Sequence, residues 1–260
     1  MIGTILLALA GVPPTGGAAP SPVSAPGAAS LVPLTPRAGG TGEACTGDRR
    51  WCVFLIPGEQ GPRPLVRRAD EPAPAEGAAA GAPQDDSISF SVWPSLLLLA
   101  NGGFLAGVQI GTGTTYSGGG GQAVTLQLFE TFADGRAGTR AVFAQPIHGA
   151  LMIRACFSEE DVANRLDVCH DAYGFSATLA PAPGATAGLP NLTYATRATA
   201  FPRGVSRSQD STKMRKLREA DLVERTDKTC SYRRRFRYDP EAGIYRPDTL
   251  LPECSDFTDP

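Results

Sequence analysis

Lysine, histidine, long apolar runs and helical periodicity are all scarce in this 260-residue chain, and each shortage excludes something. Lys213, Lys216 and Lys228 are the only lysines among 24 basic residues, and the formal charge is −2. A chain that is basic overall and bound for nucleic acid is thereby excluded. The arginine bias, together with abundant Ala, Gly and Pro, fits a GC-rich coding genome and leans bacterial. His148 and His170 are the only two histidines, which leaves little material for a multi-histidine metal centre. Beyond the N-terminus apolar runs such as Leu96 to Ala100 are short, far below the roughly 20 residues needed to cross a bilayer as a helix. No transmembrane segment is expected in the mature chain.

What is present points to export. Ile2 to Val12 form a short apolar core, and small residues follow, with cleavage predicted after Ala18. The n-region carries only the terminal amine, and no lipobox cysteine follows. Residues 1–18 are therefore read as an export signal peptide. Residues 19–44, rich in Pro, Gly, Ala and Ser, have too few large apolar side chains to predict order.

Six cysteines, at 45, 52, 156, 169, 230 and 254, all lie beyond the predicted cleavage point. An even number in an exported chain is most simply three disulfides. Six cysteines allow 15 pairings. Nearest neighbours (Cys45–Cys52, Cys156–Cys169 and Cys230–Cys254) are the expected set, because each pair flanks one local unit.

The rest of the chain divides into a short disulfide-pinned strand region, 45–66, a flexible linker or long surface loop, 67–86, and a β-rich domain, 87–260. In the last of these Phe104, Ala106, Val108 and Ile110 share one face of a strand. Val124, Leu126 and Leu128 oppose Thr125 and Gln127, and Tyr173, Phe175, Ala177 and Leu179 repeat the alternation. Asn101-Gly102, Asp134-Gly135 and the stretch 239–243 supply turns. Helices are predicted only at 158–167 and 211–224, the second with Met214, Leu217 and Ala220 along one side. The fold class is all-β, an antiparallel sandwich, barrel or propeller-like meander with one or two short helices, stabilised by disulfides. No repeat of 20–50 residues is present, which counts against a full propeller.

Catalytic and metal patterns fail one by one. Cys156, Cys169 and His170 cannot make a usual structural zinc site, because the cysteine gap is too long and adjacent residues of a strand point apart. An oxidised cysteine is not a nucleophile. His170 beside Asp171, with Ser117 as the nearest glycine-flanked serine, lacks the G-x-S-x-G elbow of a hydrolase. The stretch 111–121 looks like a phosphate loop but has no following lysine and has Tyr116 where G-x-G-x-x-G needs glycine. It reads as a flexible connection between two strands, with Tyr116 as a candidate ligand contact. Asn191-Leu192-Thr193 is an N-glycosylation sequon, meaningful only in a eukaryotic secretory pathway. No cofactor and no metal are predicted.

One asymmetry of charge remains. Between Arg203 and Tyr238 twelve Lys and Arg stand against five Asp and Glu. Within this region Arg233, Arg235 and Arg237 alternate with Tyr232, Arg234, Phe236 and Tyr238, so the three arginines share one strand face. They are the candidate anion-binding residues; the competing reading is a solvated face whose like charges deter aggregation. The expected protein is periplasmic or secreted and non-enzymatic, binding anionic polysaccharide, lipopolysaccharide or another envelope protein, and not nucleic acid. A hydrolase of envelope or extracellular polymers and a periplasmic enzyme inhibitor are the alternatives.

Overall fold

The computed structural model describes residues 29–37, 42–59, 61–72, 87–132, 135 and 137–260. The predicted signal peptide, Asp134 and most of the 67–86 segment lie outside the described residues.

Four short strands come first: β1 (Ser30–Pro36), β2 (Glu43–Thr46), β3 (Trp51–Ile56) and β4 (Arg63–Arg68). Six long ones follow: β5 (Ile88–Leu98), β6 (Phe104–Tyr116), β7 (Gly119–Thr131), β8 (Phe143–Arg154), β9 (His170–Thr186) and β10 (Leu189–Phe201). The C-terminal third adds β11 (Arg225–Asp227), β12 (Arg233–Asp239) and β13 (Ile244–Pro247). Every pairing is antiparallel, and β5 to β10 run as a meander in which each strand pairs with the next. The chain order then breaks: β12 pairs with β10 along 192–195, while β11 pairs with β10 further along, at 198–200. The sheet does not close on itself.

Burial on both faces of β6 explains the layering. Phe104, Ala106 and Val108 pack with Leu34, Val53, Leu55 and Val66, which come from β1, β3 and β4. Leu105 faces the other way, into a cluster with Leu126, Leu128, Phe143, Leu192, Tyr194, Phe236 and Tyr245. The small β2–β3–β4 unit is therefore a second layer on one side of the meander, and the curled sheet holds the main core on the other. Each fully buried leucine or valine contributes about 1.5–3 kcal/mol relative to exposure. Edge-to-face ring pairs extend the core from Phe143 to Phe236 and Tyr245, at 5.1 and 6.3 Å. Strand regions on both sides of 67–86 share the first of these clusters.

A third cluster fills the far end of the same curled face. There Leu151, Tyr173, Phe175 and Ala198 are covered by Phe257 from the short C-terminal helix α2 (Ser255–Thr258). The approach is close enough that a Cβ built on Gly149 would lie 2.0 Å from the Phe257 carbonyl oxygen. Only a residue without a side chain fits at that point.

The three disulfides join nearest neighbours, with Cα–Cα separations of 4.0 Å for Cys45–Cys52, 4.9 Å for Cys156–Cys169 and 5.7 Å for Cys230–Cys254. The middle pair shows how a helix fits between its cysteines. Helix α1 (Glu159–Asn164) is capped by the Ser158 hydroxyl, which accepts from the Asp161 amide. It stops after less than two turns, and Leu166 and Asp167, both at positive φ, turn the chain back toward Cys169.

Three expectations are corrected. Ser30–Pro36, inside the segment whose composition predicted no order, is a strand: its first half pairs with β5 and its second half with β2. Leu34 is buried between the layers, so a few apolar residues suffice where two partners wait for them. The predicted helix at 211–224 is replaced by two single 3-10 turns, Ser211–Lys213 and Glu219–Asp221. Ionic contacts of Asp221 hold this segment and outweigh its weak amphipathic pattern. Finally, the glycine-rich 111–121 stretch is strand nearly throughout: Tyr116 pairs with Gly119, leaving Ser117-Gly118 as a two-residue turn.

Candidate functional site

Strand β12 puts Arg233, Arg235 and Arg237 on the outer face, all exposed, while Phe236 is fully buried in the main core. Alternation alone produces this, because successive side chains of a strand leave opposite faces. Alternate Cα positions stand ~6.8 Å apart, so the three arginines span ~14 Å along the strand. The register sets Thr193 of β10 beside Arg235 and Arg246 of β13 beside Arg237. The Asp248 amide donates to the Arg235 carbonyl at 2.8 Å, which brings the Asp248 side chain to the same surface.

Thr193, Arg233, Arg234, Arg235, Arg237 and Asp248 line a cavity of about 410 Å³. Arg234 is part of this lining although its side chain leaves the opposite face of the strand. Its guanidinium lies 5.2 Å from the Tyr232 ring centre and donates to the Arg233 carbonyl at 3.0 Å. Its Nε is buried without a hydrogen-bond partner among the described residues.

Two further carboxylates, Asp239 and Glu224, do not neutralise the ridge. Asp239 is committed elsewhere: the Ala242 amide and then the Arg246 guanidinium hold its carboxyl below the usual carboxylate range. Glu224 pairs with Arg197 at 3.0 Å. Among the described residues none of Arg233, Arg235 and Arg237 has an ion pair. The surface can therefore offer three guanidinium forks to carboxylate or phosphate oxygens with no internal partner to displace.

The other sequence candidates are not gathered with the ridge. Tyr116 stands at the end of β6 and is 50% exposed, with four strands between it and β12 in the sheet order. It belongs to a hairpin end rather than a loop. Nearby, Arg154 lies over the exposed Phe157 ring at 5.0 Å. A shallow depression of about 950 Å³, lined by Thr115, Gly120, Met152 and Ala172 among others, runs beside it.

His170 and Asp171 separate as adjacent strand residues should: His170 is exposed and Asp171 is buried. The Asp171 carboxylate is paired with Arg165 and accepts from the Ser211 hydroxyl. The histidine thus has no orienting carboxylate from this neighbour, and Ser117 sits in the β6–β7 turn. Glu43, Cys45 and Cys52 bring their ligand atoms within 4.8 Å of one another, but both sulfurs are already bonded to each other. Asn191 of the sequon is buried and donates from Nδ2 to the Pro183 carbonyl at 2.8 Å, so the folded chain withholds it from modification.

Two ionic clamps went unseen in the sequence. Arg165 and Asp171 form a fully buried pair that Ser211 completes, joining the 156–169 loop to the excursion between β10 and β11. Asp221, also buried, accepts from Arg203 Nη2 at 2.6 Å, Arg215 Nη1 at 2.7 Å and the Arg218 amide at 3.1 Å. Arg215 first, then Arg203, lowers its pKa far below the ordinary value. Partners 6 to 40 residues apart leave no local signal of such pairing. No helix of the described residues is long and apolar enough to cross a membrane. Comparison with protein-family models, with curated proteins and with solved structures finds no match.

Proposed function

We propose that this chain is an exported, non-enzymatic binding protein of the bacterial envelope or its surroundings, and that Arg233, Arg235 and Arg237 contact anionic polysaccharide there. The observation that carries the reading is the ridge itself: three exposed arginines in register on one strand face, each without an ion-pair partner among the described residues. Three disulfides support the compartment, since such bonds form and persist where thiols are not kept reduced.

A purely protective role for the charges is a weaker fit. Like charges guard sheet edges against pairing with other chains, yet β12 is not a free edge strand: it pairs with β10 along 233–236 and with β13 along 236–239. A hydrolase reading finds little support, because Asp171 is spent on Arg165 and Ser211.

The test is binding of the full chain to an acidic polysaccharide such as polygalacturonate, with lipopolysaccharide vesicles in a parallel arm. Arg233→Ala with Arg235→Ala weakens binding about 10-fold or more and leaves the thermal midpoint unchanged, because neither side chain packs in the core. Equal binding by the wild type and the double variant removes the ridge from the account.

A further inference from the structure

The cationic cavity contains one residue of the wrong sign for a simple anion trap. Asp248 stands among four arginines, and its carboxylate makes no ion pair among the described residues. Its side-chain contact is the Thr249 hydroxyl, at a long 3.5 Å. Its place is set by backbone, through the amide bond to the Arg235 carbonyl. Thr193, opposite Arg235, is half-buried, and its hydroxyl likewise has no hydrogen-bond partner among the described residues.

We infer that this cavity takes a hydroxylated acidic sugar, a uronate unit within a polysaccharide, in preference to a phosphate polymer. The inference rests on the ridge reading and adds the class of ligand. A uronate carries one carboxylate and several hydroxyl donors. The carboxylate suits the fork of Arg233 or Arg235. The hydroxyls need acceptors, and an ionised carboxylate is acceptor-only, with room for several such bonds. Arginines supply no acceptor at all, so a cavity of arginines alone would leave those hydroxyls unmatched.

A phosphate polymer meets the opposite balance. It brings charge at every unit and few donors, so Asp248 offers it only repulsion. Specificity of this kind comes as much from the group that rejects the wrong ligand as from those that hold the right one. The ~6.8 Å step between successive arginines lets an extended polymer engage more than one fork at once, and Thr193 and Asp248 then read the sugar held at the middle position.

The experiment titrates the full chain with oligogalacturonate and, separately, with polyphosphate of matched charge. Asp248→Ala weakens oligogalacturonate binding about 3- to 10-fold, the worth of one or two exposed hydrogen bonds. The same variant tightens polyphosphate binding about 3-fold by removing a screened like charge. Opposite signs for the two ligands support the inference. Tightening of both, or no change in either, overturns it while leaving the ridge intact. Wild-type affinity for both ligands in Arg233→Ala with Arg235→Ala overturns the ridge reading and this inference together, as does failure of the wild type to bind either one.

Discussion

Removing the disulfides one pair at a time yields a graded series that the loop lengths dictate. Cys230–Cys254 closes 24 residues, Cys156–Cys169 closes 13 and Cys45–Cys52 closes 7. Chain entropy released to the unfolded state then amounts to about 3.4, 2.9 and 2.4 kcal/mol at 25 °C, in that order. The perturbation is a pair of Cys→Ala substitutions for each bridge. For a domain of this size each kcal/mol lowers the midpoint by about 2–4 °C, so the longest loop costs about 7–14 °C. Urea unfolding followed by tryptophan fluorescence suits the protein, because Trp93 is buried in the main core and Trp51 packs edge-on against Phe104 at 4.7 Å. The m-value should rise in each variant, since an unfolded chain freed of its cross-link exposes more surface. A different order of losses, with Cys45–Cys52 the most costly, would refute the entropic reasoning and assign the stabilisation to contacts in the folded state.

Two further outcomes follow from the clamps and the close approach at the C-terminus. Asp221 has a lowered folded pKa against about 3.9 unfolded, so its contribution is complete above the unfolded value and is lost as pH falls through the folded one; the 202–224 excursion should stay docked well into the acid range. Asp221→Asn should let that segment go at neutral pH and flatten its acid dependence, and tryptic cleavage at Arg207 and Lys213 no faster than in the wild type would contradict this. Gly149→Ala should displace α2 through the collision with the Phe257 carbonyl, at a cost of about 1–3 kcal/mol. Faster amide exchange at Phe257 and Asp259, with the β5–β10 strands unaffected, is the expected signature, and unaltered exchange at both would contradict the packing described.

Where the sequence could be read, the cause was local. Alternation at 104–110 and 173–179 exposed strands because each buries one set of side chains against a neighbour. The 156–169 bridge was legible because its two cysteines flank one local unit, the short helix predicted at 158–167. Strand β1 was hidden because two sheets supply its order; nothing in Pro- and Ala-rich sequence announces a waiting partner. The segment 211–224 misled for the opposite reason: its apolar spacing is genuine, but Asp221 finds Arg203 and Arg215, and buried ionic contacts set the backbone instead. Arg233, Arg235 and Arg237 were visible as a ridge from spacing alone. The place of Asp248 was not, because it depends on the register of the β12–β13 hairpin, which carries residue 248 back to the Arg235 carbonyl.

Oxidised cysteines staple the fold and are the main support for the proposed place of the arginine ridge outside the cytosol. Non-reducing peptide mapping by mass spectrometry, on protein recovered from its own cells, addresses this directly. Three linked peptide pairs, 45 with 52, 156 with 169 and 230 with 254, and no free thiol are the predicted result. Free thiols at these six positions would contradict it.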